Sequence, residues 1–212
     1  MFKLVIFDLD GTLIDSMEAI VRSMNVTFSE LGLGPYEWGR DVQRFFGKPF
    51  QKWAETLLKE GGKYSKKNME RMTNRMWDNY ADIGVKYTKL KEGAIEVLET
   101  LRKRGVRLAV ATNMIARHAN IFFSHFDLRK YFEKVCTVSD VEKGKPHPDQ
   151  VECILEDLDA ERDETLIVGD TISDLHFAKN SGIRIAIIDA PWNRSLRPDY
   201  RIKKLKELLE IV

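Results

Sequence analysis

Short apolar runs alternate along the chain with longer segments in which apolar residues recur every three or four positions. The short runs predict strands at Lys3–Phe7, Val106–Ala111, Val135–Val138, Leu166–Val168 and Ile183–Ile188. The longer segments predict helices across Met17–Leu31, Ala94–Leu101, Met114–Ser124, Val151–Leu158, a segment from Leu175 that stops at Gly182, and a closing helix across Ile202–Leu209. Strands alternating with helices of this length predict an α/β fold with a doubly wound parallel sheet.

Residues 17–87 interrupt the alternation between the first and second predicted strands. This segment is mostly helical in pattern, polar and aromatic, and carries Trp38, Trp53 and Trp77. We therefore predict a small helical domain at 17–87, inserted into a core formed by residues 1–16 and 88–212.

Composition excludes several classes of function. The 212 residues include 43% hydrophobic and 32% charged positions, with a net charge of +1. A near-neutral chain has no global field that favours nucleic acid or an anionic membrane surface, and no run approaches the ~18 apolar residues of a membrane span. A strand directly after Met1 predicts no signal peptide. We expect a cytoplasmic enzyme with a small-molecule substrate, no nucleic acid or membrane partner, and a monomeric or homodimeric state.

The first predicted strand ends in a pair of carboxylates. Asp8 and Asp10 stand two positions apart, and Gly11 and Thr12 follow. Side chains at i and i+2 of an extended segment point the same way. Two such carboxylates repel each other unless a cation lies between them or one holds a proton. The pattern favours a metal-assisted site, although a solvated turn is the alternative for this motif alone.

Polar residues also follow the other predicted strands. Thr112 and Asn113 follow the second, Lys145 comes after the third, and Asp170 and Asp174 follow the fourth. Each has an ordinary explanation as a helix cap or a solvated charge. In open parallel sheets, however, ligands bind beyond the carboxyl ends of the strands. Carboxylates, a hydroxyl and a lysine at one edge fit phosphoryl transfer with a carboxylate nucleophile and Mg²⁺.

These motifs resemble those of the haloacid dehalogenase superfamily of phosphohydrolases. Asp8–Thr12, Thr112-Asn113, Lys145-Pro146 and Gly169–Asp174 occur in the order and strand contexts of that superfamily. The helical insertion resembles the small cap of its phosphoglycolate phosphatase and β-phosphoglucomutase branch. The resemblance implies a Rossmann-like core with a helical cap domain inserted after the first strand.

The resemblance also implies catalytic and metal-binding roles. Asp8 would attack phosphorus and carry the phosphoryl group, and Asp10 would protonate the leaving oxygen and then activate water. Asp8, the backbone carbonyl of Asp10, and Asp170 would bind Mg²⁺, with Asp174 supporting the metal through water or an indirect contact.

Further residues would bind the phosphate or decide the chemistry. Thr112 and Lys145 would hold the phosphate, with Asn113 as a secondary candidate. Asp10 also favours a phosphatase or phosphomutase, because dehalogenases that cleave carbon–chlorine bonds need no leaving-group acid and lack an aspartate there.

Substrate choice should lie with the helical insertion. Arg40, Arg44 and Lys48 are the cap residues that could bind a second anion on the substrate, so phosphoglycolate is the first expectation. Solvated charges are the alternative for each of them. Sugar phosphates, nucleotides and pyrophosphate stay open, as do a phosphomutase and a non-catalytic binding protein on the same fold.

Two segments depart from the shared motifs. Lys91-Glu92-Gly93 stands where relatives usually carry a proline before the glycine, which leaves the hinge geometry open. Trp192-Asn193-Arg194 follows the last predicted strand, and we expect an ordinary surface loop there, with a rim that gates the site as the alternative.

Overall fold

The computed structural model describes residues 1–45 and 50–212. Its internal contacts divide the chain into two compact units, one of residues 1–15 and 89–212 and the other of residues 16–88.

The secondary structure follows the alternating pattern of the sequence. In chain order the strands are β1 Leu4–Phe7, β2 Ile14–Asp15, β3 Lys89–Leu90, β4 Arg107–Thr112, β5 Lys134–Thr137, β6 Thr165–Gly169, β7 Arg184–Ile188 and β8 Tyr200–Ile202. The α-helices are α1 Met17–Ser29, α2 Phe50–Glu60, α3 Lys66–Tyr87, α4 Ala94–Lys103, α5 Ala116–His125, α6 Asp149–Leu158 and α7 Ile172–Ser181.

Six of the described strands form a parallel sheet in the order β5-β4-β1-β6-β7-β8. This confirms the predicted α/β fold with a parallel sheet. β1 pairs with β4 on one side and with β6 on the other, so the chain order reverses at β1. Such a switch point opens a crevice at the carboxyl ends of the strands, where α/β proteins bind ligands.

The sheet is buried on both faces, which explains why its strands are continuous apolar runs. Leu4 and Ile6 of β1 pack in one hydrophobic cluster with residues of α6 and α7. On β1, side chains alternate between faces, and Phe7 makes an edge-to-face contact with Phe132. Every residue of β1 is fully or almost fully buried, so the strand that leads to Asp8 is anchored on all sides.

The predicted closing helix is wrong in its first part. Ile202 ends the short strand β8, which pairs with β7, and only Leu205–Glu210 is helical, as a 3₁₀ helix. The carbonyl of Ile202 accepts a hydrogen bond of 2.7 Å from the backbone of Asp189. Pairing with the sheet edge therefore overrides the helical spacing of the leucines at this point.

A two-stranded antiparallel ribbon of β2 and β3 is an element that the pattern did not predict. Its strands are two residues long, too short for a periodic signal. Directly after β3, the Lys91 backbone donates a hydrogen bond of 2.9 Å to the Leu13 carbonyl. Gly93 then begins α4 with a φ of +79°, in the left-handed region that favours glycine. The segment 91–93 is thus a tight turn without the proline.

The second unit contains α1, α2 and α3 around an aromatic and methionine-rich core. Its buried members include Met24, Phe28, Phe50, Trp53 and Met76. Glu30, directly after α1, forms ion pairs with arginines of α3, and these lie at the surface, where they contribute little to stability. In the described part of the chain, no helix combines the length and apolar character needed to cross a membrane.

Candidate active site

Asp8 occupies the first position after β1 and is only 8% exposed. Its backbone N–H donates to the Val168 carbonyl at 2.8 Å, which continues the β1–β6 ladder by one residue. Its carboxylate Oδ1 accepts a hydrogen bond from the Lys145 ammonium at 2.5 Å. The Asp8 carboxylate thus lies at the switch point, where it contacts a lysine from the loop before α6.

Lys145 bridges two carboxylates. Its Nζ also donates to Asp174 Oδ1 at 2.7 Å, and both ion pairs are buried. The other oxygen of Asp174 caps α7: Oδ2 accepts from the Thr171 hydroxyl at 2.6 Å and from the Thr171 backbone at 3.0 Å, a capping box. Gly169 permits this arrangement, because a Cβ there would lie 2.5 Å from the Asp174 Cβ.

Asp170 follows β6 and is fully buried beside Asp8. Thr12 Oγ1 donates to its Oδ1 at 3.3 Å. Its carboxylate lies directly over Gly11, where a Cβ would come within 2.4 Å of Oδ2. The Asp170 carboxylate therefore packs against Gly11 and Thr12, which follow the first carboxylate pair in the sequence.

Carboxylate oxygens of Asp8, Asp170 and Asp174 lie within 4.8 Å of one another, a spacing at which they could share a metal ion. Burial raises the pKa of Asp8 to about 7, partly offset by Lys145. Burial, together with the negative charges of Asp174 and Asp8, raises the pKa of Asp170 well above its ordinary value. Burial alone would lower the pKa of Lys145, but the charges of Asp174 and Asp8 outweigh it and raise that pKa.

Asp174 behaves differently from its two neighbours. Burial alone would raise its pKa, yet Lys145 and the Thr171 hydrogen bonds lower it below the ordinary value. Lys145 can neutralise only one of these three carboxylates, and the raised pKa values of Asp8 and Asp170 show that ionising both of them beside Asp174 is unfavourable without a further cation. Clustered carboxylate oxygens that need a cation to ionise together in a dry site fit a hard divalent cation.

The remaining core candidates lie at the same edge of the sheet. Asp10 is partly exposed and forms an isolated bridge with Ile14. Thr112 is the buried last residue of β4, and its Oγ1 accepts from the Met114 backbone at 3.1 Å. Asn113 is exposed, and its amide donates to the Lys145 carbonyl at 2.9 Å. Asn113 thus contacts the loop that carries Lys145.

The cap candidates are engaged within their own unit. Arg40 forms ion pairs with Asp41 and Glu37. Arg44 forms one with Glu60 at 2.6 Å. These contacts compensate both arginine charges locally, which weakens the argument that they wait for a substrate anion. Lys48 lies outside the described residues.

Gln150 near the site escaped sequence reasoning, and Trp192 and Asn193 were expected in a surface loop, with a gating rim as the alternative. Gln150 of α6 is completely buried, and its amide donates to the carbonyls of Thr112 and Cys136 at 2.8 and 3.1 Å. Trp192 and Asn193 both donate hydrogen bonds to Asp170. The expected surface loop is therefore wrong for Asn193, which is 0% exposed. Asn193 is polar and lies between a tryptophan and an arginine, so nothing in the sequence indicated that it is buried.

Comparison of the chain with known proteins identifies its family. The model of the haloacid dehalogenase-like hydrolases matches residues 5–188. A pyrophosphatase PpaX from Halalkalibacterium halodurans is 32% identical over 98% of this chain and 95% of its own length. A phosphoglycolate phosphatase from Aquifex aeolicus is 30% identical over 99% of this chain and 96% of its own.

A solved structure gives the same result for the fold. The crystal structure of a HAD-superfamily hydrolase, subfamily IA, variant 1, from Geobacter sulfurreducens has a TM-score of 0.77 and 27% identity, and the match covers 99% of this chain and 96% of that one. The chain belongs to the haloacid dehalogenase-like hydrolase family. Within it, the chain is an enzyme of the phosphatase type, which confirms the classification made from the sequence motifs.

Proposed function

We propose that this chain is a Mg²⁺-dependent phosphatase that hydrolyses a small phosphorylated metabolite through an aspartyl-phosphate on Asp8. The observation that carries the proposal is the buried contact of Asp8 with Lys145 at 2.5 Å, beside two further carboxylates. A nucleophile, a fixed positive charge and an anionic pocket for a cation then stand together at one sheet edge. Phosphoryl transfer needs these three elements.

Asp8 and Asp170 are the residues that would hold Mg²⁺, with the Asp10 carbonyl as a further ligand and Asp174 acting through Lys145 and the start of α7. Their raised pKa values support this assignment, because a divalent cation would favour the ionised form of both carboxylates. When bound, Mg²⁺ would neutralise charge on the phosphate and on the carboxylates around it. Because burial raises the pKa of Asp8 to about 7, positive charge beside it would keep this group ionised for attack.

The reaction then takes two displacements. An Asp8 oxygen attacks phosphorus while Asp10 donates a proton to the leaving oxygen, which splits the hydrolysis into two easier steps. Asp10 then takes a proton from water as the water attacks the phosphoryl group on Asp8. Thr112 and Lys145 would bind the phosphate oxygens, a role for which the donors of a hydroxyl and an ammonium are suited.

Two substrates are the first to test. Phosphoglycolate is supported by the relative from Aquifex aeolicus, and pyrophosphate by the relative from Halalkalibacterium halodurans. Each carries a second anionic group beside the phosphoryl group. The local pairing of Arg40 and Arg44 gives no preference for either compound.

The test is phosphate release from a panel of phosphorylated metabolites that includes both compounds, with Mg²⁺ and with EDTA. Asp8→Asn should abolish release, and Asp163→Asn, a change at an exposed aspartate of the same unit, should leave it unchanged. An acid-quenched reaction should show one phosphoryl group on the peptide that contains Asp8. Metal-independent release, or full activity of Asp8→Asn, would contradict the proposal.

The same panel separates the alternatives. A phosphomutase would release phosphate slowly and would be stimulated by a sugar bisphosphate. A non-catalytic binding protein would release none and would form no phosphorylated Asp8.

A further inference from the structure

Trp192 makes a direct contact with the carboxylate pocket. It lies in the loop between β7 and β8, and its indole Nε1 donates to the Asp170 carbonyl at 3.1 Å and to Asp170 Oδ2 at 3.2 Å. An indole N–H is a donor only, so it can orient a carboxylate without competing for a cation. Trp192 therefore holds both the backbone and the side chain of Asp170.

The loop that carries Trp192 is itself fixed in place. Asn193 is completely buried, and its amide donates to the carbonyls of Asp170 at 2.7 Å and Ile188 at 2.8 Å. Arg201 of β8 donates to the Asp189 carboxylate at 2.7 Å and to Asn193 Oδ1 at 3.1 Å. These bonds tie the loop to the end of the sheet, so the indole is held in a defined position.

The opposite side of the Asp170 carboxylate is also defined. Gly11 allows the carboxylate to lie against the backbone, and Thr12 Oγ1 donates to Oδ1 at 3.3 Å. The two carboxylate oxygens thus each accept a hydrogen bond from a neutral donor. Partners of this kind orient a metal ligand, and their loss typically lowers metal affinity or activity by about 10–100-fold.

We propose that Trp192 is a positioning residue that fixes Asp170 for a divalent cation and thereby sets the affinity of the site for that cation. The inference rests on the proposed function as a metal-dependent phosphatase. It assigns to the loop between β7 and β8 a role that does not involve contact with the substrate.

Metal binding to the full chain is measured by isothermal titration with MgCl₂ and with MnCl₂. Trp192→Phe keeps the aromatic bulk and removes the donor, and we expect the Kd for either ion to rise about 10-fold or more. Trp77→Phe is the matched control, since Trp77 is also half-buried but packs against Phe50 and Tyr80 in the other unit. The control should bind both ions within about 2-fold of the wild type, a difference of roughly 0.4 kcal/mol in binding.

Tryptophan emission supplies a second readout, which reports whether the cation binds next to the Trp192 indole. A cation bound at Asp170 changes the charge next to the Trp192 indole. The wild type and Trp77→Phe should therefore change in fluorescence on metal addition with the same midpoint as the titration. Trp192→Phe should lose that change, even at concentrations that saturate its weakened site.

The outcomes separate this inference from the proposed function. Wild-type protein that binds neither ion defeats both. A wild type that binds, with Trp192→Phe folded and equal in Kd, overturns the role of Trp192 and leaves the phosphatase proposal standing. If Trp192→Phe does not fold, the lack of any metal-dependent fluorescence change in both the wild type and Trp77→Phe still overturns the inference.

Discussion

Replacing Lys145 with methionine removes the cation that holds two buried carboxylates and keeps most of the side-chain volume. In the wild type the ammonium lies 2.5 Å from Asp8 Oδ1 and 2.7 Å from Asp174 Oδ1. At an effective dielectric constant of about 20, each contact is worth roughly 6 kcal/mol of attraction. Desolvation of each ion takes back several kcal/mol of that. We therefore expect Lys145→Met to lower the free energy of unfolding by about 3–5 kcal/mol at pH 8 without metal.

The loss should depend on pH in a defined direction. Without the ammonium, the pKa of Asp8 and of Asp174 rises in the folded state, so the folded protein keeps protons that the unfolded chain has lost. The unfolded state then binds fewer protons, and stability falls as pH rises from about 4 through the raised pKa values. The difference between wild type and Lys145→Met should therefore be smaller at pH 5 than at pH 8, by about 1.4 kcal/mol for each unit of the added pKa rise that falls between these two pH values.

Urea unfolding in EDTA at pH 5 and pH 8 tests this, followed by fluorescence or circular dichroism. Lys143→Met is the control, because Lys143 is an exposed lysine two positions earlier in the same loop. It should stay within about 0.5 kcal/mol of the wild type at both pH values. A Lys145→Met variant with wild-type stability at pH 8, or with the same loss at both pH values, would refute the electrostatic reasoning.

Three further predictions concern the groups around this pair. Gly11→Ala should lower the free energy of unfolding by about 1–3 kcal/mol and weaken Mg²⁺ binding, because its Cβ would lie 2.4 Å from Asp170 Oδ2 and its φ is +81°. Urea unfolding and metal titration measure the two effects, and an unchanged metal affinity would contradict this prediction. Gln150→Met should lower unfolding free energy by about 1–3 kcal/mol, since the Thr112 carbonyl loses a buried donor at 2.8 Å, and a loss below about 0.5 kcal/mol in the same assay would refute it. The rise in melting temperature on adding Mg²⁺ should be larger at pH 8 than at pH 6, because burial raises the pKa of Asp8 to about 7 and the carboxyl must lose its proton to bind the ion. Thermal melts at fixed free Mg²⁺ measure this rise, and an equal rise at the two pH values would contradict the prediction.

The core of the fold was predictable because its signals are local and repeated. Each buried strand is a continuous apolar run, and each following helix has one apolar stripe, so the alternation predicted a parallel sheet. The predicted closing helix was wrong at Ile202 because the apolar spacing there fits a helix as well as a strand. Pairing with the edge of β7 makes this segment a strand. Edge pairing is a tertiary effect, which the local pattern does not contain.

The candidate site divides in the same way. Asp8, Lys145 and Asp170 stand directly after strands or in the loop that follows one, so sheet topology was enough to bring them to one edge. Trp192 and Asn193 follow a strand too, but polar and aromatic residues in a loop resemble solvated surface. Their hydrogen bonds to Asp170, at the end of the neighbouring strand, are a tertiary feature that the local sequence does not contain.

The two oxygens of Asp174 couple the formation of the ion pair to the formation of a helix end. One oxygen holds the Lys145 ammonium, and the other closes the first turn of α7 through the hydroxyl and backbone of Thr171. Withdrawing this carboxylate from the lysine would also release the turn, so local opening of the pocket requires fraying of the helix start. The amide hydrogens of Thr171 and Asp174 should then exchange with solvent deuterium in one cooperative step with the release of Lys145. The rate of amide exchange at the beginning of α7 would thus measure how often the ion pair of Asp174 and Lys145 opens.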